Sequence, residues 1–179
     1  MSEGLESISA VPPGGNSVEA REASPVVLIG ESNPYGGEPE FALYCYPAGS
    51  SGDRLRRILG LDPAAYLELE RVNLCVGAWV TAAAVQKARG IVRGSPGSDR
   101  VLVLLGRRVS SAFERVVGEP LLPFSATSAS SVRIVSLPHP SGRNLVWNQA
   151  WARVRAQDLL RASCPAVSWG SSRLGACPW

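Results

Sequence analysis

The one histidine of the chain, His139, stands in the stretch Pro138-His139-Pro140-Ser141-Gly142-Arg143-Asn144. Prolines on both sides restrict the backbone to extended conformations, so the imidazole must point where the fold aims it. A neutral imidazole donates one N–H to an oxygen that gains negative charge during a reaction. Ser141 and Asn144 are suited to cap a following helix, whose N-terminus favours an anion such as a nucleic-acid phosphate, and Arg143 protrudes from the same turn. Another stretch, residues 30–37 (GESNPYGG), offers Gly30 for a tight turn and Pro34 for stiffness. Its Gly36 and Gly37 allow close approach of another backbone or a flat ligand. It is neither a GxGxxG fingerprint nor a phosphate loop ending in Gly-Lys-Ser/Thr.

Four short apolar runs, at residues 25–29, 71–76, 101–105 and 132–137, read as strands buried on both faces. Helical spacing follows each of them. Residues 50–60 carry Leu55, Ile58 and Leu59 on one side and Arg54, Arg56 and Arg57 on the other. Residues 81–89 form a helix with Thr81 near its N-cap and Gly90 at its C-terminal end. Residues 107–117 align Val109, Phe113, Val116 and Val117. The last helix, residues 144–161, has Leu145, Trp151, Val154, Leu159 and Leu160 as its apolar positions. Strand then helix, repeated, implies an α/β fold of three layers, with helices on both faces of a four-stranded, mostly parallel sheet. In such folds ligands bind where loops leave the carboxyl ends of the strands. Both stretches above occupy that position, as does the segment after NLC in the second strand.

The chain has 179 residues, enough for one domain with a substantial core. A hydrophobic fraction of 45% and a charged fraction of 18% fit a soluble globular protein. No apolar stretch is long enough to span a bilayer, and the first residues lack a basic region followed by an apolar one. A cytoplasmic protein without membrane attachment is expected. Residues 1–25 and 163–179 read as tails around a domain at 26–162, with the docking of Trp169 and Trp179 left open. Lys87 is the only lysine, and the other strong bases are arginines. Arginine binds phosphate through a planar fork, but a bias toward GC-rich codons gives the same composition. Cys45, Cys75, Cys164 and Cys177 lack the close spacing of a metal site, which points to buried or incidental thiols. Neither metal nor cofactor is expected.

Taken in order, the two stretches resemble the uracil-DNA glycosylase superfamily. There a Gly-x-(Asp/Asn)-Pro loop follows the first strand and a (His/Asn)-Pro-Ser-x-x-(Asn/Ser) loop follows the last. This chain has Gly30-Glu31-Ser32-Asn33-Pro34-Tyr35 and His139-Pro140-Ser141-Gly142-Arg143-Asn144. The histidine loop is most similar to that of members active on single-strand-selective or hydroxymethyl substrates. Asn33-Pro34 is similar to those and to mismatch-specific members. The likeness runs from about residue 26 to 160 and includes the Asn of RVNLC, Asn73.

The resemblance implies that Asn33 holds the attacking water and that His139 hydrogen-bonds the pyrimidine O2 as the base leaves. Asn73 would bind the polar edge of the flipped base, with Tyr44 or Tyr46 stacked on it and Phe41 a weaker candidate. Ser141, Gly142, Arg143 and Asn144 would face DNA, with Arg143 filling the gap left by the flipped nucleotide. Tyr35 stands where uracil-specific members block a 5-methyl group. GESNP is one residue longer than the usual motif, however, so a roomier pocket for 5-substituted pyrimidines is expected. Cys75 resembles a ligand of iron–sulfur members, but no CxxC precedes the first strand. The expected protein is a monomeric, monofunctional DNA glycosylase that leaves an abasic site, in base-excision repair or in antiviral defence against phage DNA with modified bases. The alternatives are a non-catalytic DNA- or base-binding module on the same fold, motivated by an amide at Asn33, and a hydrolase of free nucleosides.

Overall fold

The computed structural model describes residues 25–33, 38–95, 100–129 and 132–170. Tyr35, the N-terminal stretch through residue 24, Cys177 and Trp179 lie outside them, and Asn33 is described by its backbone alone. Five strands form one sheet: β1 Val26–Asn33, β2 Glu70–Val76, β3 Val101–Leu105, β4 Ser125–Ala129 and β5 Val132–Leu137. Their order is β2-β1-β3-β5-β4, all parallel except β4, which runs antiparallel to β5 at the edge. The expected α/β architecture is present with one strand more than the four anticipated. β4 (SATSA) is an edge strand of small residues, with only Ala129 buried, and has no apolar run to announce it.

Alternate residues of β1 serve the two faces. Val26 and Leu28 pack under α1 Ser51–Leu59, α2 Pro63–Glu68 and α5 Ala150–Ser163. Val27 and Ile29 pack under α3 Thr81–Arg93 and α4 Arg107–Val117. Every residue of β3 is buried, as a central strand covered on both sides requires. Each fully buried Leu, Ile or Val contributes about 1.5–3 kcal/mol of transfer free energy, which makes this doubly covered sheet the main source of stability.

Local signals place the helices. Ser50 accepts from the Asp53 N–H at the start of α1, and Gly60 closes it in the left-handed conformation at φ +69°. α2 begins with Asp62 as cap and Pro63 in its first turn. Three boundaries differ from expectation. α3 runs past Gly90 to Arg93, because the pattern of Ala84, Ala88 and Val92 keeps burying one face. The last helix does not begin at Asn144: a 3-10 turn, Leu145–Asn148, intervenes, and α5 starts at Ala150. Finally, β1 does not end at Gly30 but continues in parallel pairing with β2 as far as Asn33 opposite Val76.

The expected C-terminal tail starts inside α5, and its first part is packed. Cys164 and Trp169 join the core, and the Trp169 indole N–H donates to the Cys164 carbonyl at 2.8 Å. Gly170 lies against Gly60 so closely that a Cβ on it would come within 2.3 Å of the Gly60 carbonyl oxygen. Cys45, Cys75 and Cys164 are buried free thiols. Among the described residues no helix is long and apolar enough to cross a membrane, and no group of three metal-ligating side chains occurs. Trp169→Ala should lower the urea-unfolding free energy by about 3–5 kcal/mol, the cost of emptying a core aromatic site. A change below about 0.5 kcal/mol would mean that residues 164–170 are not part of the folding unit.

Candidate active site

The carboxyl-terminal halves of β2, β1, β3 and β5 lie side by side and bring polar or glycine residues to that end of the sheet, with Asn73 and Gly30 facing one side and Glu31 the other. In sheet order these are Asn73, Gly30 with Glu31, Gly106 and His139. Topology alone brings together residues more than a hundred positions apart.

His139 follows β5 and is half-buried. Its Nδ1 accepts the backbone N–H of Ser141 at 3.1 Å. The lone pair on Nδ1 is thereby occupied, so a neutral ring carries its proton on Nε2 and offers that N–H as a donor. Burial holds the imidazole below its ordinary pKa of 6.5, against the opposing pull of the nearby Glu31 carboxylate. The backbone of the loop is equally constrained. The His139 carbonyl accepts from Asn144 Nδ2 at 3.1 Å and from the buried Trp147 indole at 3.0 Å, and Arg54 of α1 donates to the Pro140 carbonyl at 3.1 Å.

Asn144 therefore uses both amide atoms within the loop, since its Oδ1 accepts from Val146 N–H at 3.4 Å. Its cap serves the 3-10 turn, not a helix, so the anion-binding helix N-terminus expected at this point is absent. Ser141 is half-buried, while Gly142 and Arg143 are exposed at the tip of the loop. The Arg54 guanidinium lies beneath them, 3.9 Å from where a Cβ on Gly142 would stand.

Glu31 has no role in the motifs read from the sequence. Because β1 continues past Gly30, Glu31 falls on the same side of the strand as Val27 and Ile29 and reaches over the end of β3. There Gly106, with φ +102°, leaves room for two side chains. A Cβ at that position would stand 3.0 Å from His139 Cβ, 3.3 Å from His139 Cδ2 and 3.4 Å from Glu31 Oε1. Arg108, at the start of α4, approaches the other carboxylate oxygen at 3.6 Å. The one sequence signal for Glu31 is an acidic residue in phase with the apolar positions of a buried strand.

Gly30 pairs with Asn73 across β1 and β2. A Cβ on Gly30 would stand 2.3 Å from Asn73 Oδ1 and 3.0 Å from Leu43 Cδ2, so glycine is needed for the amide to lie where it does. Asn73 is 8% exposed, and its Oδ1 is buried without a hydrogen-bond partner. An orphaned buried acceptor costs about 1–3 kcal/mol, which stability alone does not explain.

The segment covering this pair is tied down at three points. The Tyr66 hydroxyl donates to Leu43 O at 2.8 Å, Ser50 Oγ to Tyr44 O at 3.1 Å and Arg71 Nε to Ala42 O at 3.2 Å. From it Tyr44 emerges half-buried between Phe41 and Tyr46, with ring centroids 5.6 and 5.5 Å away, and Tyr46 is 50% exposed. The backbone of Asn33 pairs with Val76 at the end of β1.

Since the folded pKa of His139 is below that of the unfolded chain, its contribution to stability is constant above about pH 6.5 and is lost as pH drops toward the folded value. Unfolding free energies at about pH 7.5 and pH 5 should show this loss in the wild type and a smaller one in His139→Gln. Equal losses would show that His139 does not hold its neutral form. No protein-family model matches the chain, nor does any curated protein sequence.

Proposed function

We propose that the protein is a monofunctional DNA glycosylase acting on uracil or a 5-substituted pyrimidine. The observation that carries this reading is the fixed tautomer of His139, whose Nε2–H is held by its own loop as a donor at the carboxyl end of the sheet. In pyrimidine excision the C1′–N1 bond breaks with its electron pair passing to the base, and the charge gathers on the carbonyl oxygens. An aimed, desolvated N–H stabilises that anion more than the neutral base and so lowers the barrier.

The sugar acquires positive charge as the base leaves, and Glu31 supplies a carboxylate that borders Gly106 together with His139. Asn33 orients the water that bonds to C1′, and the proton shed by the water neutralises the released base. Asn73 reads the polar edge of the base, with Tyr44 or Tyr46 against its face. Asn144 acts on His139 as a positioning residue, leaving Ser141, Gly142 and Arg143 to meet the DNA. Glu31 also weakens the case for a non-catalytic module, which rested on the lack of a carboxylate at Asn33.

Duplex and single-stranded oligonucleotides bearing uracil, hydroxymethyluracil, hydroxymethylcytosine or glucosylated hydroxymethylcytosine, developed by alkaline cleavage, test the reading. At least one should yield abasic product. His139→Ala should reduce the rate about 10²–10³-fold, the loss typical of one removed oxyanion donor. Asn33→Ala and Glu31→Gln should each cost about 10²-fold or more. Arg143→Ala should slow excision from duplex DNA and leave any hydrolysis of free nucleosides unchanged. DNA binding without product from any base would replace the enzyme with a binding module, and wild-type rates in His139→Ala would remove the proposed chemistry.

A further inference from the structure

Helix α5 buries two alanines and Leu160 while leaving its largest side chain exposed. Ala152 and Ala156 are buried against the sheet, whereas Trp151, expected among the apolar positions of this helix, is 56% exposed. Trp151, Val154, Arg155 and Asp158 share one outward stripe at spacings of three and four residues. Together with Ala150 and Phe124 they line an open cavity of about 550 Å³, within the range that holds small planar ligands.

Phe124 is the unusual member. It stands at φ +56°, a left-handed conformation that costs a bulky L-residue about 1–2 kcal/mol. Its N–H donates to the Ser136 carbonyl at 2.8 Å, which fixes it at the end of the sheet where the His139 loop departs. That backbone sets the Phe124 ring between two indoles, 5.5 Å from Trp147 and 5.3 Å from Trp151. Trp147 in turn donates to the His139 carbonyl. Three rings in contact therefore join the candidate catalytic loop to the groove. The charge at the rim is cationic: Asp158 is neutralised by Arg161 at 2.8 Å, while Arg155 is exposed and no described carboxylate pairs with it.

We infer that this groove is a stacking platform for an unpaired DNA base flanking the excised nucleotide, with the face of Trp151 against the base and Arg155 at the neighbouring phosphate. The inference rests on the glycosylase reading, and it specifies a substrate that is single-stranded or locally opened beside the target. Every base presents a π-face, so an aromatic ledge with an adjacent arginine binds strand without regard to sequence. A paired base is stacked on its neighbours and has no face to offer.

Fluorescence anisotropy of a labelled oligothymidylate and of its duplex, across a salt series, tests this without any excision step. Trp151→Ala should weaken single-strand binding about 5- to 100-fold, the range of one base stacked on an aromatic ring, and change duplex binding less than about twofold. Trp151→Phe should recover most of the loss. Arg155→Ala should reduce the single-strand salt slope by about 0.7, as for one phosphate contact. Unchanged single-strand affinity in Trp151→Ala, or an equal loss on both forms in a variant with wild-type thermal stability, would overturn the inference. A wild-type dimer in sedimentation velocity that Trp151→Ala dissociates would also overturn it, by assigning the groove to a second copy. Since these readouts are affinities, they fail independently of the excision assay.

Discussion

The carbonyl oxygen of His139 accepts two hydrogen bonds, from an amide and an indole that both lie downstream in the chain. Those two bonds turn a proline-flanked stretch into a fixed loop. The indole belongs to Trp147, which is buried among the residues that hold α5 and α1 on the sheet. The direction of the imidazole is thus tied to core packing and not to surface contacts alone. Arg54 adds a third support from a separate helix. A site built this way needs little reorganisation when charge develops, because its donor is in place beforehand.

Two effects of opposite sign meet at His139. Burial disfavours the charged ring, and the Glu31 carboxylate favours it, with burial the larger. Arg108 lies 3.6 Å from one oxygen of the same carboxylate, and the other oxygen borders Gly106. The carboxylate therefore sits near the ring without converting it into a cation, as the proposed chemistry requires.

Much of the fold is legible in the sequence because the sheet interior repeats one message: runs such as VLVLL have no other comfortable environment. β4 is not, since an edge strand of Ser, Ala and Thr matches a loop in composition. α2 escapes notice although Asp62-Pro63 is a fair start signal, because six residues are too few to show a period. In the site, His139 and Asn73 are recognisable from their loop and strand. Glu31 is hidden when Gly30 is read as a turn, whereas its missing side chain in fact makes space for Asn73 within a continuing strand. Trp151 is recognisable as apolar, but helical spacing does not say which of two stripes faces inward when the other is lined with alanine.

The contact between Gly30 and Asn73 also constrains how such a chain can change over generations. Any side chain at position 30 would occupy the space of the amide, so that position is closed to drift while Asn73 remains. A shorter residue at position 73 would remove that clash and leave the Leu43 side chain, 3.0 Å from a Cβ at position 30, as the remaining limit on size. Descendants that abandon the buried amide should accumulate ordinary strand residues at position 30, whereas those that keep it retain the glycine. The pair is then a historical marker, recording in the backbone whether a lineage still keeps the buried amide.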